Sequence, residues 1–189
     1  MFYFFQGLNR IFASEVFIKQ HDSYFFNLKR VQVAFGICES DLIDEKYDKN
    51  CTEQRNEYLK AFSRSDTTDF CLAYILTYLD FHNGTAGLAN IGTVCQKSGN
   101  TGFVTMLNFN QERDFNESVI TFSHEVAHNF GASHDDGFKD NPECFNKGYI
   151  MDELFNTTTS DLEGEFFIYK YIITSTYVVF RIINNQNCK

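Results

Sequence analysis

The sequence predicts an α+β fold: a twisted mixed sheet with an antiparallel edge strand, flanked by helices. Phe70 to Tyr78 is a continuous apolar run of strand length, which is typical of a central strand buried on both faces. Gly84 to Gly92 and Gly102 to Asn108 are shorter runs bounded by glycine and asparagine, and they indicate an antiparallel pair. Ser118 to Phe130 is predicted to be a helix that carries two of the five histidines.

The remaining elements follow in chain order. Leu8 to Phe17 is predicted to be an amphipathic helix and not a secretory leader, because polar residues interrupt the apolar core that a leader needs. Asn27 to Phe35 alternates apolar and polar residues over its second half, which predicts a strand. Tyr58 to Ser63 is predicted to be a short helix. Asn116 or Ser118 is expected to cap the later helix, since either side chain can accept from the first N–H groups.

The composition limits the class of protein. The 189 residues suit one domain, and 22 phenylalanines with 10 tyrosines can fill a single core. A formal net charge of −9 argues against a nucleic-acid-binding surface, which would be basic. None of the six cysteines is spaced as CxxC, so an oxidising compartment is a better interpretation than thiolate metal binding. Four Asn-x-Ser/Thr sequons are compatible with the secretory pathway, at Asn50, Asn83, Asn116 and Asn156.

The main functional signal is the string HEVAHNFGASHD, residues 124–135, which fits the pattern HExxHxxGxxHD. On a helix His124 and His128 are i and i+4, so both imidazoles project from one face toward one ion. Gly131 can adopt a positive φ, end the helix and turn the chain, which makes His134 the third nitrogen ligand. Three protein ligands leave a fourth position open, which predicts a catalytic zinc site and not a structural one.

The neighbours of these ligands have predicted roles of their own. Glu125 lies close enough to reach a metal-bound water without being a ligand, and we expect it to be the general base that later protonates the leaving amine. One zinc ion at this site would lower the pKa of that water toward about 7 and polarise the scissile carbonyl. Asp135 is expected to hold the histidine ligands in place without binding the ion itself, because a fourth protein ligand would close the site. Met151 matches the methionine turn beneath the metal in proteases with this long motif.

These residues resemble the metzincin proteases, and within them the adamalysins or reprolysins, the catalytic domains of the "a disintegrin and metalloprotease" proteins. Asp135, directly after the third histidine, points to that branch. The strings FCLAYILT (70–77), GTAGLA (84–89) and NTGFVT (100–105) are similar to the subgroup of Kuzbanian and tumour-necrosis-factor-converting enzyme, and most of all to Kuzbanian. The resemblance is strong from Phe70 to Met151 and weaker from Leu8 to Phe35.

The resemblance implies a zincin-like fold in which an edge strand lies above the active-site cleft. An edge strand has unpaired N–H and C=O groups, so an extended peptide can add to it. The expected substrate-binding residues are Gly87, Leu88, Ala89 and Asn90. The resemblance also implies a disulfide between Cys95 and Cys188.

The chain also departs from the family pattern. An inhibitory segment, the first strand and most of the first helix of the family have no counterpart in this sequence. We therefore expect residues 1–153 to be an N-terminally incomplete catalytic domain and residues 154–189 to be a divergent tail. The tail is consistent with a strand, a replaced terminal helix or translated non-coding sequence. Lys170 interrupts its apolar run, which argues against a membrane span.

By resemblance, the expected function is zinc-dependent hydrolysis of peptide bonds, with shedding of cell-surface ectodomains in a Notch-type role. Substrates would be polypeptides, membrane-anchored proteins among them, and the full-length family member would place this domain at the cell surface. The alternatives are a catalytically inert truncated member that binds partners through its cleft, a zinc enzyme with a non-protein substrate, and a structural zinc module. Glu125 argues against the first and third, and the edge strand argues against the second.

Overall fold

The computed structural model describes residues 6–10, 25–34, 55–134, 150–151 and 175–183. Residues 6–10 are helical, and a short 3-10 helix spans His82–Gly84. The other elements are β1 Phe25–Ala34, α1 Arg55–Phe62, β2 Leu72–Thr77, β3 Gly87–Ala89, β4 Thr101–Thr105, β5 Leu107–Asn108, β6 Gln111–Glu112, α2 Phe115–Asn129 and β7 Ser175–Ile183.

Five of these strands form one mixed sheet in the order β1-β7-β2-β4-β3. β2 and β4 are parallel, whereas β7 is antiparallel to both of its neighbours and β3 is antiparallel to β4. β3 is the last strand in this order, so it is an edge strand within the part of the chain that the structure describes. The predicted α+β class, mixed sheet and antiparallel edge strand are confirmed. β5 and β6 form a separate two-stranded ribbon.

The start of α2 differs from the prediction. The N-cap is Asp114, whose side chain accepts a hydrogen bond from the backbone N–H of Asn116 at 2.8 Å. Asn116 and Ser118 lie inside the first turn, so the expectation that one of them caps the helix was wrong. The physical reason is that Phe115 already packs against the core, so the helix begins at Phe115, three residues before the predicted start at Ser118. Aspartate satisfies the first N–H groups as well as asparagine or serine does.

The core has one layer on each face of β2. Alternate residues of a strand point to opposite faces. Tyr74 and its same-face neighbours pack against Val119, Phe122 and Val126 of α2. Ile75 and its same-face neighbours pack with β4 and with α1. Every residue of β2 is buried, as the continuous apolar run predicts.

β7 is an interior strand of the sheet, because it pairs with β1 on one side and with β2 on the other. Residues 175–183 of the predicted tail are therefore a strand. The division of the chain at residue 153 stays a prediction, and most of the tail, including Lys170, lies outside the described residues. In the ranges that the structure describes, no helix combines the length and apolar character that crossing a bilayer needs.

Candidate metal centre

Helix α2 places the first two histidines of the motif side by side. His124 and His128 are one turn apart, and their ring centroids lie 4.6 Å from each other. The opposite face of the helix is anchored by Val119, Phe122 and Val126 in the core below the sheet. Packing therefore fixes the direction in which the two imidazoles project.

The end of α2 delivers the third histidine, as predicted. Gly131 has a φ of 101°, a conformation that side chains with a Cβ rarely adopt. Its N–H donates to the carbonyl of His128 at 2.8 Å, and the N–H of Ala132 donates to the carbonyl of Ala127 at 3.0 Å. These two bonds form a Schellman motif, which ends the helix and reverses the chain. After this turn the Nε2 atom of His134 lies 3.1 Å from Nε2 of both His124 and His128.

Two backbone carbonyls set the tautomers of the helical histidines. Nδ1–H of His124 donates to the carbonyl of Ile150 at 2.5 Å, and Nδ1–H of His128 donates to the carbonyl of Ala132 at 2.7 Å. A carbonyl can only accept, so Nδ1 carries the proton on both rings. Each Nε2 is left with a lone pair that faces the other two, which is the usual arrangement of histidines that bind a metal.

The spacing of the three Nε2 atoms can be compared with the dimensions of a metal site. Zinc–nitrogen bonds of about 2.0–2.1 Å at tetrahedral angles separate two nitrogen ligands by about 3.3–3.4 Å. The observed 3.1 Å separations are close to this value. The ligand atoms of all three histidines lie within 4.8 Å of one another. The geometry therefore fits a single metal ion.

Burial keeps the helical histidines neutral. It lowers the pKa of His124 to about 4 and also lowers the pKa of His128, because a charged imidazole is poorly solvated there. The hydrogen bonds to Ile150 and Ala132 act in the opposite direction and are weaker. Neutral rings have the free lone pairs that a cation needs.

Glu125 is a buried carboxyl beside this cluster. Its side chain is 5% exposed, and among the described residues its Oε2 has no hydrogen-bond partner. Burial raises the pKa of this carboxyl to about 8. A Cβ at Gly87 would stand 2.6 Å from Oε1 of Glu125, so the carboxyl occupies space that only glycine leaves open. An isolated buried carboxyl costs stability, so the site has a chemical rather than a structural use for it.

The free edge of β3 passes above this carboxyl. The N–H of Thr105 donates to the carbonyl of Ala86, and the N–H of Asn90 donates to the carbonyl of Thr101. Antiparallel strands alternate hydrogen-bonded and non-bonded pairs, so the N–H and C=O groups of Gly87 and Ala89 point away from the sheet. These groups form the open edge to which a further strand can add.

Comparison with known proteins identifies the family. The sequence model of the reprolysin-like M12B metallo-peptidases matches residues 7–181. The chain belongs to this family. From the residues alone no resemblance was recognised after Asp152, whereas the family match continues to residue 181.

Several relatives of this M12B chain bear the name disintegrin and metalloproteinase domain-containing protein 10. The Xenopus laevis protein is 33% identical over 158 residues, which cover 72% of this chain and 21% of the relative. The human protein is 33% identical over 134 residues, which cover 62% of this chain and 18% of the human protein. The Caenorhabditis elegans homolog is 33% identical over 118 residues, covering 51% and 13%. The chain thus spans about a fifth or less of the length of these relatives, and the Kuzbanian-like resemblance is confirmed.

The structure brings most of the predicted site residues of this M12B domain together. His124, His128, His134 and Glu125 cluster below the free edge of Gly87 and Ala89. Met151 is buried next to Ile150, the residue whose carbonyl accepts from His124. The side chain of Asp135 lies outside the described residues. Cys95 forms a disulfide, whereas Cys188 lies outside the described residues and its pairing stays a prediction.

One residue that helps to position the candidate site was missed from the sequence. Asn129 is completely buried. Its Nδ2 donates to the carbonyl of Asn90 at 2.8 Å and to Oγ1 of Thr93 at 3.1 Å, and its Oδ1 accepts from the hydroxyl of Tyr74. The backbone N–H of Gly92 also donates to the carbonyl of His128 at 2.8 Å. These bonds join the chain after β3 to the end of the helix that carries the histidines. An asparagine between a histidine and a phenylalanine offers no spacing signal that would have revealed this role.

Proposed function

We propose that this chain is a zinc-dependent endopeptidase that binds its substrate as an extended strand. The convergence of three Nε2 lone pairs beside a buried carboxyl supports this proposal most directly. Three imidazoles suit zinc, and three protein ligands leave room for catalysis. The ligands would be His124, His128 and His134. When bound, zinc supplies Lewis acidity toward the scissile carbonyl.

The remaining steps are carried by the chain itself. The outward N–H and C=O groups of Gly87 and Ala89 pair with the substrate backbone and hold it straight across the cleft. Glu125 accepts a proton from the attacking water and then donates it to the leaving amine. Its raised pKa makes the ionised carboxylate a stronger base than an exposed glutamate. Asp135 is proposed to hold the histidine ligands in place. Met151 is proposed to lie beneath the metal site and pack against it.

The experiment that tests this proposal combines zinc content with cleavage of a quenched peptide library. The purified wild-type chain should hold one zinc and cleave internal peptide bonds, and a chelator should abolish cleavage. Glu125→Gln should keep the zinc and lose about 10²–10⁴-fold in kcat, the range expected for a general base. Glu117→Gln is the matched control on the same helix and should retain activity. Loss of zinc from Glu125→Gln would contradict the assigned role, and zinc without cleavage in the wild type would favour an inert binding module.

The resemblance to Kuzbanian extends the proposal to membrane-anchored substrates. A cell-surface location for the domain is part of the same proposal, and the metalloproteinase name of the relatives agrees with a polypeptide substrate. Added to cells that display an epitope-tagged ectodomain on a peptide stalk, the wild-type chain should release the tag and Glu125→Gln should not. Cleavage of the free stalk peptide without release from cells would limit the substrate class to soluble polypeptides.

A further inference from the structure

The sequon Asn83-Gly84-Thr85 forms the tip of a tight loop between β2 and β3. Phe81 and Thr85 pair across the base of this loop. Asn83 has a φ of 61° and a ψ of 24°, a left-handed conformation that asparagine tolerates better than most residues. Its side chain is exposed and makes no hydrogen bond with any other described residue. The amide nitrogen of Asn83 therefore points to solvent from a projecting turn.

The base of the loop is held independently of Asn83. Nη1 of Arg55 donates to Oγ1 of Thr85 at 2.6 Å, and the same hydroxyl donates to the carbonyl of His82. Nδ2 of Asn108 donates to the carbonyl of Gly84 at 3.2 Å. A bulky group on Asn83 would consequently displace none of the contacts that shape the loop.

The second sequon in the described part of the chain has a different setting. Asn116 is half-buried in the first turn of α2. The hydroxyl residues of the two sequons, Thr85 and Ser118, are both buried, at 8% and 1% exposed, so the sequons differ in the exposure of their asparagines. A bulky group on Asn116 would have to fit against a helix that is packed into the core. The sequons at Asn50 and Asn156 lie outside the described residues.

A further observation concerns the compartment. Cys95 is disulfide-bonded, and disulfides persist in oxidising compartments such as the lumen of the secretory pathway. N-linked glycans are added in that pathway to Asn-x-Ser/Thr sequons and suit surface loops.

We infer that Asn83 is an attachment site for an N-linked glycan and that Asn116 is not. In the transfer, Nδ2 of Asn83 bonds to the anomeric carbon of a lipid-diphosphate-linked oligosaccharide. The bond from that carbon to the diphosphate oxygen breaks, the lipid diphosphate leaves with the electron pair, and the amide proton passes to solvent. No oxidant or reductant is needed.

The attachment point is close to the substrate-binding edge. Gly87 is four positions after Asn83, so their Cα atoms lie no more than about 14 Å apart even along a fully extended chain. Gly87 in turn borders the Glu125 carboxyl. The glycan therefore stands beside the end of β3 at which the chain enters the edge strand.

The test is glycan occupancy at each sequon, and it relies on the secretory location given under Proposed function. The full chain is secreted from animal cells behind a cleavable leader, and glycans are released by a peptide-N-glycosidase in ¹⁸O water, which marks each formerly occupied asparagine. A parallel sample kept in ¹⁸O water without the enzyme measures the label that Asn83-Gly84 takes up by spontaneous deamidation, and this label is subtracted. Asn83 should carry the label and Asn116 should not. On gels, Asn83→Gln should lose the mass of one glycan, and the matched control Asn116→Gln should lose none.

Two outcomes would overturn the inference: unlabelled Asn83 in secreted chain, or equal labelling of Asn83 and Asn116. The labelling is read on the wild-type protein, so it does not depend on how a variant folds. It is also independent of proteolysis, which is measured separately on bacterially produced chain that carries no glycan. A glycosylated but inactive chain would therefore count against the proposed protease and not against Asn83.

Discussion

The absence of a side chain at Gly87 leaves room for the carboxyl of Glu125. Its ideal Cβ position lies 2.6 Å from Oε1, 2.8 Å from Cγ and 3.0 Å from Cδ of Glu125. These contacts are too short for two real atoms, so an added methyl group must move the carboxyl or the edge strand. A displacement of about 1 Å at a catalytic group can cost about 10²-fold in rate.

We therefore expect Gly87→Ala to lower kcat by about 10- to 100-fold with a smaller change in KM. Steady-state kinetics on one peptide substrate, together with zinc content, would measure this. Gly92→Ala is the matched control, because a Cβ there meets nothing within 4 Å and introduces only the backbone strain of a positive φ. Equal kcat values for wild type and Gly87→Ala would refute the close approach.

The buried carboxyl of Glu125 should also make the stability of the metal-free protein depend on pH. Burial raises its pKa from 4.5 to about 8. A raised pKa in the folded state means that the unfolding free energy is greatest below pH 4.5 and falls as the pH rises through 8. Between pH 6.5 and 8, chelated wild type should lose about 1–2 kcal/mol more than Glu125→Gln. Urea unfolding of both proteins across this range checks the difference, and parallel curves would count against it.

At the scale of single residues, the sequence predicted the four side chains that the structure brings together at the candidate site. His124, Glu125, His128 and His134 have a fixed spacing that a helix followed by a glycine turn converts into one cluster. The partners that orient the rings could not be predicted, because they are backbone carbonyls and every residue has one. Only the folded chain shows that those of Ile150 and Ala132 are used.

Among the elements, the joint between the edge strand and α2 depends on Asn129. Replacing this amide by Leu would remove the hydrogen bonds that it makes with the hydroxyl of Tyr74 and the carbonyl of Asn90. We expect Asn129→Leu to lower the unfolding free energy by about 2–4 kcal/mol, because Asn129 is completely buried and loses several hydrogen bonds, each worth about 1 kcal/mol or more. Gln96→Ala, which removes an exposed amide bonded to the carbonyl of Gly92, should change it by no more than about 0.5 kcal/mol. Similar denaturation midpoints for the two variants would contradict this role.

A pair of proline substitutions distinguishes an interior strand from an edge strand. Val178 of β7 pairs with Val31 on one side and Tyr74 on the other, so Val178→Pro should prevent folding, because central strands do not tolerate proline. Ala89→Pro should keep the fold, because the N–H of Ala89 points away from β4, but it should raise KM by removing a substrate contact. Circular dichroism and peptide kinetics measure both effects. A folded Val178→Pro protein would show that β7 is dispensable to the sheet.

The long elements were predictable because apolar periodicity is a local property of the sequence. The β5–β6 ribbon was not predicted, because its turn breaks a local rule. Phe109 and Asn110 both have positive φ, at 50° and 57°, and a bulky residue such as phenylalanine rarely adopts this conformation. The carboxylate of Asp80, distant in sequence, accepts from both backbone N–H groups and stabilises the turn.

For the whole molecule, a bound metal ion should raise the free energy of unfolding, because its ligands come from the helix and from the loop after it, and the ion would hold the two together. Zinc at about 1,000 times its Kd adds about 4 kcal/mol of stability, which raises the Tm of a domain of this size by roughly 10 °C. Calorimetry with and without a chelator should show this shift. His134→Ala should lose most of it, whereas the exposed His82→Ala should retain it. An unchanged Tm on chelation would mean that the histidines bind no ion in the folded protein.

The place of β7 in the sheet has a consequence for the order in which the chain folds during synthesis. Among the described strands, β1 is connected to the rest of the sheet only through β7, because the strand order is β1-β7-β2. Residues 25–34 must therefore wait, unpaired, until residues 175–183 have left the ribosome. At about 5–20 residues per second, this delay is roughly 7–30 seconds. The half that contains β2, β4, β3 and the helix with the two histidines can form earlier from contacts that are closer in sequence. During that interval both β1 and the open side of β2 are exposed strand edges, which makes the nascent chain a client for chaperones.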